Sequence, residues 1–400
     1  MDLTDEADYD RVRLGRRTFL RATALTAAFF PLWTSPAVAE PGPIVKPLPA
    51  DRFIVRGTNA ETRWEALAGT GNLVPIDRFF VRNHTLTPLL SAQTWRLRLF
   101  GTGLRGAPTA GNPVELGYQD LLDLPARTVT ARIECAGNGR SFYTTQQNQS
   151  VTGTAWQLGA VGVARWRGVP LSTVLERAGL RRSAVDVLPA GLDPDYVTGG
   201  VNLGPVRRPL PIRKALKDVL VAYEMNGEPL PPDHGFPVRL VVPDWIGIAS
   251  IKWLGGIEVS DTPLVSPWNT QFYRLVGPDY PPEGELIGRQ NIKSAFELPW
   301  GGTLAAGRTH HLTGRSWSGT GGVRGVEVST DGRTWRHAAP RGHDGAWLRW
   351  SLPWRPTGPG SYTLRARATD RTGAGQPAVA PYNTQGYLFG AVVGHPITVA

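Results

Sequence analysis

Apolar and polar residues alternate along much of this chain. In Trp95-Arg96-Leu97-Arg98-Leu99 and in Thr128-Val129-Thr130-Ala131-Arg132-Ile133 every second side chain is apolar, the period of a strand with one face on a core and the other towards water. The helical period shows only briefly. After Pro170, Leu171, Val174, Leu175 and Ala178 fall on one stripe and Gly179 supplies a stop, so a short helix is predicted there. The region 45–265 therefore reads as mixed α and β.

Between Asp261 and Trp300 the alternation gives way to an irregular stretch holding Pro263, Pro267, Pro278, Pro281, Pro282 and Pro299, as expected of a connection crossing a domain surface. Beyond it, strand candidates recur at short intervals: His311–Arg315, Val323–Ser329, Trp335–Ala338, Ala346–Ser351, Tyr362–Ala368 and Val392–Val399. Asp331-Gly332 reads as a hairpin turn between two of them. The set predicts an antiparallel sandwich of immunoglobulin type over 266–400, a kind of domain that binds or dimerises more often than it catalyses. The expected fold class is α+β: a mixed α/β domain over 45–265, then an all-β sandwich. Composition agrees, since 47 Gly and 35 Pro scattered through 400 residues without a repeat period disfavour long helices.

The first residues depart from both patterns. Arg16-Arg17-Thr18-Phe19-Leu20-Arg21 precedes a mainly apolar stretch from Ala22 to Trp33, and Ala37-Val38-Ala39 supplies a small-residue cleavage pattern. Residues 1–39 read as a twin-arginine export signal, removed to leave a periplasmic protein without a membrane anchor. That pathway carries folded proteins, often with a cofactor already inserted. The net charge of +10 suits anionic ligands or acidic partners. Nucleic acid is not expected, because the arginines are spread between apolar positions rather than clustered.

Cys135 is the one cysteine, so no internal disulfide can form and another use is open. It lies in Ile133-Glu134-Cys135-Ala136-Gly137-Asn138-Gly139-Arg140, where a strand pattern meets a glycine turn beside an arginine. Positive charge and the backbone N–H groups of a turn favour a thiolate, making Cys135 a candidate ligand or nucleophile; an inert buried cysteine is the alternative. A Cys-His protease would need a nearby histidine and no metal. An exported binding module without catalysis is a further reading.

Further motifs stand in order along the chain. Phe79-Phe80-Val81-Arg82-Asn83-His84, the Cys135-Ala136-Gly137-Asn138 turn, Trp156 through Ala164-Arg165-Trp166-Arg167-Gly168-Val169, Tyr223-Glu224-Met225-Asn226-Gly227 through Asp233-His234-Gly235-Phe236-Pro237-Val238-Arg239, and Ile251-Lys252-Trp253-Leu254 together resemble the sulfite oxidase family of molybdopterin enzymes. The resemblance continues in Gly314-Arg315-Ser316-Trp317-Ser318-Gly319 and Val326-Glu327-Val328-Ser329-Thr330-Asp331-Gly332, which look like the start of that family's C-terminal dimerisation domain.

The resemblance implies a single molybdenum held by one molybdopterin and one protein thiolate, which Cys135 matches. It places cofactor contacts on Phe80, Val81, Arg82, Asn83 and His84, on Asp193, on His234 and Arg239, and on Ser250, Ile251 and Lys252. The chemistry of these side chains suits it: the cofactor ends in a phosphate, for which Arg239 and Lys252 are donors, and its pterin edge needs Asp or Asn partners. Arg82 and Arg140 match arginines that face the substrate, Tyr273 the tyrosine of the active site, and Trp156 a pocket wall. The activity implied is oxidation of sulfite to sulfate by oxygen-atom transfer, with electrons passed to an external c-type cytochrome. One cysteine cannot form a haem-attachment motif, and no haem domain is expected. A homodimer or a heteromer with a cytochrome subunit follows from the family. Gln385 stands where animal members carry a further pocket arginine, which points to a second reading as a sulfane dehydrogenase subunit acting on protein-bound sulfur. Exported methionine sulfoxide reductases of the family generally lack the C-terminal sandwich.

Overall fold

The computed structural model describes residues 43–343 and 346–400, so the predicted export signal at 1–39 lies outside the described residues. Strands dominate. The helices Ser141–Gln147 and Leu171–Arg177, at seven residues each, are the longest among the described residues, in keeping with the glycine and proline content. The second is the helix predicted after Pro170, and Gly179 follows it at φ +90°.

Two sheets form the first part of the chain. One is five-stranded and mixed, in the order Leu210–Pro211, Asp186–Gly191, Leu254–Ser260, Arg96–Phe100, Val114–Gly117; Leu254–Ser260 and Arg96–Phe100 run parallel. In Arg96–Phe100 the predicted alternation holds, with Leu97 and Leu99 buried and Arg96 and Arg98 exposed. The other sheet is antiparallel, ordered Glu228–Pro229, Leu220–Met225, Val161–Pro170, Arg127–Glu134, with Arg239–Val241 paired to Leu220–Met225. Val169, Val221, Tyr223 and Leu240 of this sheet share a core with Leu97, Leu99, Val187 and Ile257 of the first and with Leu171, Val174 and Leu175 of the helix.

Arg127–Glu134 begins as predicted and then departs from alternation, because Ala131, Arg132, Ile133 and Glu134 are all buried. The strand's second face is covered there by residues distant in sequence: Ala346 and Ser318 accept hydrogen bonds from the Arg132 guanidinium at 2.5 and 3.1 Å. Trp317, Trp347 and Phe389 belong to the same cluster as Ile133 and Cys135. Positions that read as a solvent face form a junction instead.

The C-terminal part is two facing sheets. Lys293–Phe296, His310–Trp317, Leu348–Trp354 and Ala339–His343 make one; Thr303–Leu304, Gly394–Val399, Gly360–Asp370, Val323–Ser329 and Arg336–His337 make the other. Leu312, Trp350 and Leu352 of the first meet Val326, Val328, Leu364 and Ile397 of the second in one core. The segment from Asp331 to Thr334 turns the chain between Val323–Ser329 and Arg336–His337, with Asp331 Oδ1 accepting the Arg333 and Thr334 N–H groups at 2.8 and 2.7 Å. The last strand starts at Gly394 rather than Val392, because Ala380, Phe389, Ala391 and Val393 return to pack on the first part.

The proline-rich stretch runs partly exposed, but it also carries a buried aromatic cluster. Trp268, Phe272, Tyr273, Leu275 and Ile287 pack with Ala136, Tyr196, Ile246 and Tyr387 in a cluster of their own. The prolines keep the strands here short, and the aromatic residues between them supply the buried area.

Candidate active site

Loops at the ends of strands from both N-terminal sheets converge on one cavity. Its lining includes Phe80, Arg82, Asn83, His84, Cys135, Asp193, His234, Arg239, Ser250, Ile251, Lys252 and Tyr273, nearly all of the residues named from sequence. Cys135 sits one residue beyond Arg127–Glu134, and Asp193 two beyond Asp186–Gly191. His234 ends the 3-10 turn Pro232–His234, and Arg239 opens Arg239–Val241. Ser250, Ile251 and Lys252 link the turn Gly247–Ala249 to Leu254–Ser260.

Four residues fall elsewhere. Val81 is a correction: its backbone N–H and C=O both pair with Ala60 at 2.9 Å, and its side chain packs with Ile44 and Phe53. Arg140 lies behind the lining, with Nε donating to the Gln385 carbonyl at 2.8 Å, NH1 to the Thr154 carbonyl at 3.1 Å, and the guanidinium 5.2 Å from the Tyr387 ring centre. Trp156 is core, not wall. Gln385 is outside the lining too, its Nε2 donating to the Gln271 carbonyl at 3.4 Å. The turn after Cys135 also offers fewer free donors than its glycines suggest, since the N–H groups of Asn138, Gly139 and Arg140 bond to Cys135, Gln157 and Gly137 carbonyls.

The histidines in the lining are neutral. His84 Nε2 accepts from Arg82 NH2 at 3.0 Å and Trp268 Nε1 at 3.3 Å, which leaves its proton on Nδ1. Burial first, then Arg82 and Lys252, holds its pKa well below the usual histidine value. His234 is depressed by burial and by Lys46, Lys252 and Arg239, and its buried Nε2 has no hydrogen-bond partner among the described residues. An orphaned nitrogen facing a cavity is a donor or acceptor kept for something else.

Positive charge gathers here, and neither Arg239 nor Lys252 forms an ion pair with a carboxylate among the described residues, although Asp193 and Asp233 share the lining. The Arg239 guanidinium is buried, donates to the carbonyls of Leu240, His234 and Ser250 at 3.2, 3.0 and 3.0 Å, and lies 5.1 Å from the Trp166 ring centre. Burial brings its pKa down to about 9. Lys252 Nζ donates to Asn83 Oδ1 and to the Asp233 carbonyl, and burial with Arg239 close by lowers it well below an ordinary lysine. Asp193, by contrast, is pushed up to about 6 by burial, although Val206 N–H donates to its Oδ2 at 3.1 Å. Gly191 makes room for it, since a Cβ there would stand 2.2 Å from Asp193 Oδ1.

Tyr273 closes the cavity from the proline-rich stretch. It holds φ +58°, unusual for a bulky side chain, and its ring stacks on Tyr387 at 5.2 Å between centroids. The Arg208 guanidinium lies 5.5 Å from the Tyr273 ring centre and donates to the carbonyls of Trp268 and Ile287. Burial pushes the Tyr273 hydroxyl up to about 12 against the pull of Arg82.

Sequence reasoning missed three supporting residues. Asp233 accepts from Val45 N–H, Lys46 N–H and Thr87 Oγ1 at 3.0, 2.7 and 2.6 Å, pinning the N-terminal segment under the cavity. Lys46 Nζ donates to the Ile76 and Phe79 carbonyls at 3.0 and 2.7 Å, bracing the entry to the 79–84 segment. Arg208 is the third. Asp233 stood next to a named histidine; Lys46 and Arg208 carried no local signal.

The donor set limits what can bind. Among the described residues no three His, Cys, Asp or Glu side chains gather as a metal site. A metal held by Cys135 would therefore draw its other ligands mainly from a cofactor. Buried Arg239, half-buried Lys252, the orphaned His234 nitrogen and the Asp193 carboxyl fit a cofactor that combines an anionic group with a polar ring edge.

Comparison with known proteins agrees with this donor set. Residues 84–268 match the oxidoreductase molybdopterin binding domain. Sulfite oxidase of Gallus gallus is 36% identical over 354 residues, covering 82% of this chain and 74% of the relative. Mitochondrial sulfite oxidase of Mus musculus is 36% identical over 361 residues, covering 84% of this chain; the chain spans 63% of the length of that relative. Among solved structures, the sulfane dehydrogenase SoxCD from Paracoccus pantotrophus superimposes with a TM-score of 0.72 at 26% identity, over 86% of this chain and 87% of that one.

Proposed function

Because this chain belongs to the sulfite oxidase family of molybdopterin oxidoreductases, we propose that it oxidises sulfite to sulfate with Cys135 as the protein ligand of molybdenum. The observation that carries the reading is the cavity itself: one thiol, two histidines held neutral by burial, and the cations Arg239 and Lys252 face a common space with Arg82 and Tyr273. Bound there, molybdopterin supplies a two-electron oxygen-atom-transfer centre. Lys252 and Arg239 would hold its phosphate, and an arriving anion would offset the desolvation that lowers both. Asn83, Asp193, Ser250 and the ring nitrogens of His84 and His234 serve its polar edge. Arg82 draws in the sulfur oxyanion and offsets repulsion as it nears the metal, and Tyr273, protonated at neutral pH, donates a hydrogen bond to an oxygen of substrate or product. Arg140 acts through the segment it braces at Gln385 and Tyr387.

The wider reading follows the same family. The C-terminal sandwich is of immunoglobulin type and dimerises the protein or docks a cytochrome subunit; the mature protein works in the periplasm after twin-arginine export; a c-type cytochrome takes the electrons. A second reading has its own support. The similarity to SoxCD covers 86% of this chain and 87% of that one, and the chain carries Gln385 where the resemblance leads one to expect a further arginine, so a sulfane dehydrogenase activity on protein-bound sulfur stands beside sulfite oxidation.

Steady-state turnover of the molybdenum-loaded protein with ferricyanide or cytochrome c separates the two. Sulfite-dependent reduction of the acceptor is expected. Silence with sulfite, together with turnover of a protein-bound persulfide, would transfer the assignment to the second reading.

A further inference from the structure

The residue before Cys135 is a fully buried glutamate. Glu134 Oε1 accepts from Lys293 Nζ at 2.6 Å and from Asn138 Nδ2 at 3.0 Å, Oε2 accepts from Trp317 Nε1 at 2.8 Å, and the Glu134 carbonyl accepts from Gln290 Nε2 at 2.6 Å. Three of these four donors come from the C-terminal part of the chain. Lys293 and Trp317 face each other across the strand pair Lys293–Phe296 and His310–Trp317, so one end of the sandwich delivers an ammonium and an indole to the same carboxylate.

The contacts continue into the cysteine turn. Asn138, which donates to Glu134, also donates from its backbone N–H to the Cys135 carbonyl at 3.0 Å and accepts the Ala160 N–H at 3.0 Å. Cys135 N–H itself bonds to the Ala160 carbonyl at 2.9 Å. Beneath the turn, Gly247 lies so close that a Cβ there would stand 2.7 Å from the Glu134 carbonyl oxygen. The turn has little freedom that does not pass through Glu134.

The charges around it balance. Arg132 Nε lies 4.0 Å from Glu134 Oε2, and its NH2 lies 3.8 Å from Oδ1 of the half-exposed Asp244, so two cations and two carboxylates meet formally balanced, Glu134 being the carboxylate that is buried with them. Burying an unbalanced charge is costly, and in a medium of low dielectric it acts strongly on anything nearby that gains or loses an electron. Groups just outside the coordination sphere tune a metal by the same route.

On the reading that Cys135 ligates molybdenum, we propose that Glu134 and Lys293 are positioning residues through which the sandwich fixes the cysteine turn and sets the reduction potential of the metal bound there. Loss of the glutamate's charge leaves a net positive cluster, which favours the reduced metal; loss of the lysine's charge leaves a net negative one, which favours the oxidised metal. A structural role alone has no sign.

Potentiometric titration of the full-length, molybdenum-loaded protein, followed by electron paramagnetic resonance, reads this directly. The expected result is a higher potential in Glu134→Gln, a lower one in Lys293→Gln, a return towards wild type in the double Glu134→Gln/Lys293→Gln, and no change in Lys293→Arg. Shifts of the same sign in both single variants, no shift in either, or a double variant as displaced as the worse single one would overturn the proposal. Should a single variant lose its metal, retention in the double variant and in Lys293→Arg expresses the same charge requirement; loss in all of them would overturn it. Wild-type protein that takes up no molybdenum would defeat the metal reading itself, whereas a loaded protein with an immovable potential defeats only this inference.

Discussion

Arg208 shows how much a single side chain can carry without a carboxylate partner. Its guanidinium is buried, joins Trp268 and Ile287 through their carbonyls, and lies against the ring of Tyr273. Burial brings its pKa down to about 10, so it keeps its charge at neutral pH. Replacing it by methionine keeps the volume but leaves both carbonyls unpaired, a loss of about 1–3 kcal/mol that should appear as a lower unfolding temperature in calorimetry. Turnover should fall further than molybdenum content, because Tyr273 loses its support while Cys135 does not. An unchanged melting temperature would show the carbonyls satisfied some other way. Arg208 was not legible in the sequence. Cys135, His234, Lys252 and Tyr273 could be named from residue type and ordered motif, but Arg208 works by reaching the backbone of residues 60 and 79 positions away, and no local pattern encodes that. Val81 failed for the converse reason: it sits inside a motif, yet its strand-like pairing with Ala60 turns it from the cavity.

Among the elements, the alternating strands were the most legible, because a period of two follows directly from one buried face. Val323–Ser329 has the predicted bounds, and Gly360–Asp370 contains the predicted strand. Arg127–Glu134 misled at its end, since its polar positions meet the sandwich instead of water. The last strand, Gly394–Val399, carries a testable consequence of the same junction. Buried His395 lies between Phe296 and Trp300, donates from Nε2 to the Pro299 carbonyl if that nitrogen holds the proton, and has its pKa brought down to about 4 by burial. The unfolded chain protonates this residue near 6.5, so the folded state binds fewer protons between the two values. Its contribution to stability is fully present above pH 6.5 and is lost as pH falls towards 4, by roughly 3 kcal/mol in all. Denaturant unfolding across that window should show this slope, and His395→Gln should flatten it; an equal slope in the variant would place the cause elsewhere.

Across the whole molecule the C-terminal sheets and the part that holds the cavity are joined through buried polar contacts. The Lys293 ammonium and Trp317 indole reach the residue beside the candidate metal ligand, Arg132 reaches back to Ala346 and Ser318, and the segment from Ala380 to Val393 closes over Phe142 and Tyr143. Composition and strand spacing led to an expected boundary between two parts, but gave no sign of how they depend on one another, because that rests on buried polar contacts between residues as far apart as 248 positions. The account depends on Cys135 before anything else. The most direct measurement is the molybdenum content of the purified protein made in a host that synthesises molybdopterin, compared with Cys135→Ser. About one molybdenum per chain in the wild type and almost none in the variant is the predicted result, since a serine hydroxyl replaces the thiolate without disturbing the size of the site. A metal-free wild type from such a host, or equal molybdenum in both, would contradict it.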